Sequence, residues 1–282
     1  MPFDIVTANA HHIRQLTTWA DEEGWNPGLT DGHAFFPTDP SGFLFGRLDG
    51  EAVASVSAVR YGSGFGFIGF YITRPEVRGQ GYGIQVWRAA TARLAGRNVG
   101  LDGVVDQQEN YRKSGFRRAW NNIRYEGVPS PDGHDGADGV ALADARTVPF
   151  DQLAAYDRRF FPERRDAFLA SWIGLPDRVG LVAVRDGALH GFAVVRPCSG
   201  ASRIGPLYAS GPGVAAALVR GLAAAVPGAL VAIDVPDVNR PAVRLAERLG
   251  LTPSFEAARM YTGEAPDVDL PGLYGITSLE LG

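Results

Sequence analysis

A glycine-rich turn is the part of this sequence with the clearest chemical potential. Residues 67–72 have the apolar composition of a buried strand, residues 84–90 fit a helix, and the run RGQGYG at 78–83 lies between them. Glycine permits left-handed dihedrals and close approach of the backbone to a ligand, and the first N–H groups of a helix lack partners within it. The turn therefore predicts an anion site, with phosphate as the favoured ligand.

Two common phosphate-binding motifs do not fit this turn. No GxxxxGK followed by Ser or Thr is present, and Ile84 stands where a dinucleotide-binding fingerprint needs a small residue. The pattern that remains is Arg-x-x-Gly-x-Gly, carried by Arg78, Gly81 and Gly83. It resembles the acyl-coenzyme A loop of the GNAT family of N-acetyltransferases. Residues 110–116, NYRKSGF, are similar to a second motif of that family, Tyr-x-Lys-x-Gly-Phe.

The resemblance implies acetyl-coenzyme A as a co-substrate, bound by the loop and its flanks. The cofactor-binding residues it implies are Tyr71, Ile72, Val77, Arg78, Gly79, Gln80, Gly81, Tyr82, Gly83, Asn110 and Lys113. Main-chain N–H groups near Tyr71 and Ile72 are expected to face the thioester carbonyl. Tyr111 matches the family's general acid, since a phenol stays protonated at neutral pH and can protonate a departing thiolate. The alternative for Tyr111 is packing against the pantetheine arm.

The general base and the acceptor pocket are less well defined by the sequence. Asp21 and Glu22, at the end of the first predicted helix, are candidate bases, as are Glu23 and Asp106, although GNAT enzymes often use ordered water instead. The residues predicted to contact the acceptor are Trp25, Asn26, Phe35 and Phe36. The aromatic residues among them fit an ordinary core equally well. Together, carboxylates and aromatic faces favour a cationic amine.

Composition excludes several other functions. The formal charge of −4 provides no basic field for nucleic acid or an anionic membrane, and 45% hydrophobic with 21% charged residues is typical of a globular protein. No membrane span or secretory signal is evident. The single Cys198 excludes an internal disulfide, and the five histidines show no metal-ligand spacing, so we expect no metal and a cytoplasmic location.

The chain reads as an internal duplication. Strands are predicted at 3–7, 43–48, 52–60, 65–73 and 100–105, with helices at 10–23 and from the glycine-rich turn to about 95. A Pro/Gly/Asp-rich stretch at 128–139 is the predicted linker. After it, the strand and helix order of the first half recurs. The predicted fold class is mixed α/β, with two tandem GNAT folds, each a mostly antiparallel mixed sheet flanked by helices: residues 1–127 catalytic and residues 140–282 degenerate.

The second copy lacks the chemistry of the first. Its matching turn, SGPG at 210–213, has no arginine or glutamine, and Pro212 removes one N–H donor. Ala246 stands at the position that matches Tyr111. This half is expected to support the fold, close the substrate site or hold a homodimer. The segments at 24–28 and 275–280 resemble a bacterial subgroup of tandem proteins with a degenerate second copy.

The sequence therefore predicts an N-acetyltransferase that transfers an acetyl group from acetyl-coenzyme A to a primary amine by direct attack in a ternary complex. The acceptor, a small molecule or a peptide, is left open. The alternative is a non-catalytic acyl-coenzyme A sensor, in which the second half relays occupancy to a partner.

Overall fold

The fold is known from a computed structural model that describes residues 2–129 and 139–282. The predicted linker at 128–139 falls almost entirely outside the described residues. The predicted mixed α/β class is confirmed, because strands and helices alternate in both halves of the chain.

Within the first half, the glycine-rich turn joins the fourth strand to the third helix. The elements in chain order are β1 (Phe3–Thr7), α1 (Ala10–Glu22), α2 (Asp31–Phe35), β2 (Phe43–Leu48), β3 (Glu51–Tyr61), β4 (Phe65–Thr73), α3 (Tyr82–Arg93), β5 (Asn98–Val104), α4 (Gln108–Lys113) and β6 (Arg117–Gly127). The predicted strands at 3–7, 43–48 and 65–73 have these bounds, and the other predicted elements shift by one or two residues.

The second half repeats this order. Its elements are β7 (Ala141–Asp144), α5 (Phe150–Asp157), α6 (Asp166–Gly174), β8 (Val179–Arg185), β9 (Ala188–Arg196), β10 (Ser202–Ala209), α7 (Pro212–Ala225), β11 (Val231–Pro236), α8 (Arg240–Arg248), β12 (Thr252–Tyr261) and β13 (Leu273–Gly275). Among the helices of the described ranges, none is long and apolar enough to cross a membrane.

Matching hairpins mark the duplication. Asp49 and Gly50 join β2 to β3 with φ of 52° and 89°, and Asp186 and Gly187 join β8 to β9 with φ of 51° and 76°. Two successive positive φ values give the tight turn whose twist matches that of antiparallel strands, and Asp-Gly tolerates them well. The Asp-Gly dipeptides at 49–50 and 186–187 predict such hairpin turns from the sequence alone, and the structure has a tight turn at both places.

The two halves share one continuous sheet. Its strand order is β1-β2-β3-β4-β5-β12-β6-β11-β10-β9-β8-β7, with β13 paired to β10. The last long strand of each half is exchanged: β12 pairs with β5 and β6, and β6 pairs in turn with β11. The boundary between residues 127 and 140 stays a prediction about the sequence, but in space the halves interleave at these four strands.

An aromatic core also joins the halves. The ring of Phe35 stacks on that of Trp172, with 5.9 Å between centroids and 12° between planes, and on that of Phe168, with 6.3 Å and 16°. All three side chains are buried, and they belong to a core cluster that includes residues of both halves. Burial of large aromatic surface is a major source of stability, so this cluster holds α2 against α6.

A buried ionic cluster ties the exchanged strands together. Arg124 on β6 donates from Nε to Oδ1 of Asp234 on β11 at 2.8 Å, and Arg203 on β10 donates to the other oxygen of the same carboxylate. Burial alone would raise the pKa of Asp234, but the two guanidinium groups outweigh it and hold that pKa well below its usual range. The carboxylate therefore stays charged and bridges β6, β10 and β11.

We expect Asp234→Asn to destabilise the protein by about 3–5 kcal/mol at neutral pH, because removal of one partner leaves buried charge uncompensated. Since the folded-state pKa is lowered, this contribution is present above the unfolded pKa of about 3.9 and is lost as the pH falls toward the folded value. The measurement is urea unfolding at neutral and acidic pH. The control is Asp4→Asn, which breaks the exposed pair with Arg47 and should leave the denaturation midpoint unchanged. Equal midpoints for Asp234→Asn and the wild type would contradict this role.

Candidate functional site

The site begins at an irregularity in β4. Its register against β3 shifts between Ser55 and Ser57, so that Phe70 and Tyr71 have no regular partner on β3. Phe70 has a φ of 47°. Two serine side chains replace the lost ladder bonds: Ser57 Oγ accepts from the N–H of Gly69 at 3.0 Å, and Ser55 Oγ donates to the carbonyl of Phe70 at 2.9 Å. A bulge of this kind redirects the main chain and is common beside active sites.

Beyond the bulge, β4 and β5 separate. They pair in parallel from Phe65↔Asn98 to Ile68↔Leu101, whereas β4 continues to Thr73 and β5 to Val104. The main chain of β4 from Gly69 onward is therefore not paired to β5. The expected main-chain groups of Tyr71 and Ile72 lie on this separated stretch, and both residues line the cavity that it opens.

The glycine-rich turn lies at the open end of β4. Gly79 and Gly81 have φ of 80° and 85°, and Gly81 directly precedes α3, so both glycines are required by the backbone conformation. Gly83 is required by space, because a Cβ there would come within 2.5 Å of Thr73 Oγ1 and 3.1 Å of the Tyr71 hydroxyl. The backbone N–H groups of Gly79 and Gly81 donate no hydrogen bond within the described part of the chain. Two N–H groups without partners among the described residues therefore lie at the start of α3.

Two ion pairs fasten the end of α1 to this turn. Arg78 pairs with Glu23 and also donates from Nε to the carbonyl of Thr73 at 2.9 Å. Arg74 pairs with Glu22 and lies 5.5 Å from the centroid of the Trp19 ring. Both pairs are partly exposed, so their effect is mainly positional.

A cavity of about 600 Å³ fills the space between the separated strands and the turn. Its lining combines residues from both halves of the chain. They are Glu23, Trp25, Ile68, Gly69, Phe70, Tyr71, Ile72, Thr73, Val77, Arg78, Gly79, Gly81, Gly83, Ile84, Leu101, Asp102, Val104, Asp106, Gln107, Tyr111, Phe255, Ala257, Leu279 and Glu280. A volume of this size suits a small-molecule site.

Tyr111, the predicted general acid, lines this cavity. Its ring packs on Trp87 with 5.4 Å between centroids, and a Cβ at Gly103 would touch it at 2.7 Å. Burial, with a smaller contribution from Tyr71, raises its pKa above the usual range for a phenol. The hydroxyl is therefore protonated throughout the physiological range. It forms no hydrogen bond with other described residues, so it is free to meet a ligand.

Four of the predicted cofactor residues lie outside the cavity lining. Gln80 donates to the carbonyl of Glu76, and the Tyr82 ring packs against that of Phe3 at 5.0 Å. Asn110 donates to the side chain of Gln107 at 2.9 Å, and Lys113 is exposed at the end of α4. Val77, Arg78, Gly79, Gly81 and Gly83 do line it, together with Tyr71 and Ile72.

Of the four predicted acceptor residues, Trp25 alone reaches the cavity. The Asn26 side chain instead accepts from the N–H of Gly200 at 2.7 Å and donates to the carbonyl of Ala201 at 3.1 Å, so it fastens the first half to the second. Phe35 belongs to the aromatic core described above. Phe36 is partly buried and packs on the ring of Phe43 at 6.1 Å.

Two of the four candidate bases lie outside the cavity lining. Asp21 is exposed and Glu22 is held by Arg74, and neither lines the cavity. Glu23 and Asp106, also considered from the sequence, do line it.

The sequence offers closure of the substrate site as one role of the second half but identifies none of its residues, and the structure shows which of them line the cavity. Phe255 and Ala257 come from the exchanged strand β12, and Leu279 and Glu280 come from residues 276–282, which we call the closing segment. In the sequence, this segment is marked only by the resemblance of residues 275–280 to a subgroup of tandem proteins. That resemblance does not say where these residues lie in the fold.

The matching turn of the second half has a different form. α7 begins with Pro212, Gly211 is extended, and none of residues 210–213 lines the cavity. Ala246, at the position that matches Tyr111, is buried in the core on α8. Among the described residues, no group of three or more His, Cys, Asp or Glu is arranged to hold a metal ion.

Comparison with known proteins agrees with this geometry. Residues 10–116 match the model of the acetyltransferase (GNAT) family, and residues 153–275 match that of an acetyltransferase (GNAT) domain. The chain is 34% identical over 268 residues to the holothin acyltransferase of Pseudoalteromonas sp. (strain SANK 73390), which covers 95% of this chain and 90% of that protein.

Solved structures show the same fold. A proposed acetyltransferase from Pyrococcus horikoshii superposes with a TM-score of 0.82 at 20% identity, over 99% of this chain and 96% of that one. A tandem GNAT protein from the clavulanic acid biosynthesis pathway superposes with a TM-score of 0.64 at 16% identity, over 94% and 100%. The chain therefore belongs to the GNAT family of acyltransferases and carries two GNAT domains in tandem.

Proposed function

We propose that this protein is an N-acetyltransferase that transfers an acetyl group from acetyl-coenzyme A to a primary amine, with one working site per chain. The observation that supports this most directly is the cavity itself, in which the glycine-rich turn, the separated end of β4 and Tyr111 meet. The second half contributes walls to this cavity but has no equivalent turn or tyrosine of its own.

The residues fit coenzyme A. The unpaired N–H groups at Gly79 and Gly81, next to the start of α3, would hold the diphosphate, because a helix N-terminus attracts an anion. Arg78 is within this turn and can exchange its exposed pair with Glu23 for a phosphate. The part of the cavity between β4 and β5 would receive the pantetheine arm and the thioester.

The amine attacks the thioester carbonyl, whose oxygen would be met by main-chain N–H groups of the separated part of β4. As the C–S bond breaks, the Tyr111 hydroxyl would give its proton to the sulfur. The raised pKa of Tyr111 keeps that proton in place until the thiolate forms.

The experiment that tests this function is coenzyme A release from acetyl-coenzyme A in the presence of a panel of amines. The panel includes polyamines, amino acids, peptides and holothin, the acceptor named for the curated relative. We expect thiol release that depends on one class of amine. Binding of acetyl-coenzyme A without release on any amine would favour the sensor instead.

Gly81→Val should weaken the binding of acetyl-coenzyme A by at least about tenfold, equivalent to about 1.4 kcal/mol, as measured by calorimetry. A branched side chain cannot adopt the φ of 85° without strain and would disturb the turn. The control is Gly96→Val, at a φ of 81° with equally open space around it, which lies outside the cavity lining. Equal loss of binding in both variants would argue against the role of the turn.

Tyr111→Phe should bind acetyl-coenzyme A as the wild type does but lower kcat about 10²-fold, because it keeps the ring packing and removes the proton. The matched control, Tyr125→Phe, changes a buried tyrosine of another core cluster that does not line the cavity. An unchanged kcat for Tyr111→Phe would rule out Tyr111 as the acid.

A further inference from the structure

Four carboxylates line the cavity, and they differ in the groups that already bond to their oxygens. Glu23 pairs with Arg78. Asp102 has a fully buried side chain, with both oxygens bound by Arg259 at 2.8 Å. Asp106 is exposed on the turn after β5, where it is surrounded by water. These three are therefore neutralised by a partner or left in solvent.

The fourth carboxylate, Glu280, is only partly occupied. The residue is 3% exposed. Its Oε1 lies 3.4 Å from Nη1 of Arg203, and its Oε2 is buried and accepts no hydrogen bond from the described residues. Buried polar atoms in folded proteins nearly always have a partner, so an unpartnered one on a residue that lines a cavity indicates a position for a ligand.

The main chain of the closing segment holds Glu280 firmly in this position. Ile276 donates its N–H to the carbonyl of Asp234 at 3.0 Å, and the hydroxyl of Tyr61 donates to the carbonyl of Leu281 at 3.0 Å. A Cβ built on Gly69 would lie 2.1 Å from the carbonyl oxygen of Glu280. Glu280 therefore packs directly on β4 next to the bulge, at the point where β4 leaves β5.

The ionic cluster around Glu280 leaves its Oε2 without a cationic partner. The charged groups bonded around Glu280 are Arg203 from β10, and behind it Asp234 from β11 and Arg124 from β6. Two guanidinium groups and two carboxylates balance in this cluster. Arg203 makes two ionic contacts, and the one to Glu280 is the longer, so Arg203 neutralises this carboxylate only in part and its Oε2 would attract a second cation.

We infer that Glu280 binds the acceptor ammonium and acts as the general base of the reaction. This inference rests on the proposed function. The ammonium gives one proton to Oε2 of Glu280, and the neutral nitrogen attacks the thioester carbon. As the tetrahedral intermediate collapses, the C–S bond breaks and the Tyr111 proton passes to sulfur. The second proton lost from nitrogen restores the Tyr111 hydroxyl, and Glu280 returns its proton to water.

The inference also identifies the acceptor class as a primary aliphatic amine that is cationic at neutral pH. Acceptors whose nitrogen is already neutral would need no base. The closing segment thus gives the second half a part in the chemistry, although its own turn is degenerate.

The test compares Glu280→Gln and Glu280→Asp with the wild type, on the best amine found in the panel. Glu280→Gln should lower kcat/KM for the amine about 10²-fold at pH 7, with unchanged affinity for acetyl-coenzyme A. Without the carboxylate, only the fraction of the amine that is already neutral in solution can react. That fraction rises about tenfold with each pH unit as long as the pH is below the pKa of the amine, so kcat/KM of this variant should rise about tenfold per pH unit there. Glu256→Gln, the same change on an exposed residue of β12 outside the cavity lining, should match the wild type.

Glu280→Asp separates a chemical role from a structural one. It keeps the negative charge beside Arg203 but withdraws the oxygens, and a misplacement of about 1 Å can cost about 10²-fold in rate. We expect Glu280→Asp to have a melting temperature near that of the wild type and to turn over slowly. This folded variant therefore tests the chemical role of Glu280 even if Glu280→Gln fails to fold. Full activity of either variant would overturn the assignment of Glu280 but would leave the proposed function intact. An inactive wild type that still binds acetyl-coenzyme A would overturn the proposed function, and this inference with it.

Discussion

Asp234 carries a negative charge inside the protein, and the surrounding structure is arranged around that charge. An isolated buried carboxylate would be very costly, so Arg124 and Arg203 must both reach it. Arg124 comes from the first half of the chain, and it also donates to the carbonyl of Trp25 at 3.0 Å. Arg203 contacts Glu280. One buried charge thereby fixes two walls of the cavity, and each wall comes from a different half.

The exchanged strands β6 and β12 also join the two halves, through pairing within the sheet. β12 covers the edge of β5 that would otherwise be open, and it brings Phe255 and Ala257 to the cavity. A duplicated chain could build two separate sheets, but then the first half would have lost this wall. In the interleaved arrangement the second copy, whose own turn at 210–213 lies outside the cavity lining, supplies part of the wall of this cavity.

The sequence predicts most of the fold because its signals are local. Alternating apolar strands, the two Asp-Gly turns and the glycine-rich loop each depend on a few adjacent residues, and the structure places them as expected. The acceptor wall depends instead on long-range packing. Phe35 could fit a pocket or a core equally well from its type alone, and only the position of Trp172 decides that it is core.

Glu280 illustrates the same limit for chemistry. Many carboxylates in the chain have the right functional group, and the sequence favours those at the end of the first helix because they lie beside Trp25, a predicted acceptor residue. What distinguishes Glu280 is a buried oxygen without a donor, which results from the path of the closing segment across β4. No local pattern of residues encodes that path, so the sequence offers the second half a part in closing the site without identifying Glu280.

The central claim is that two similar halves form one site. Calorimetric titration of the intact chain with acetyl-coenzyme A tests it most directly. The account predicts one molecule bound per chain, and saturation at that ratio. Two molecules per chain would mean that the second turn also binds the cofactor, and no binding would remove the basis for acyl transfer at this cavity.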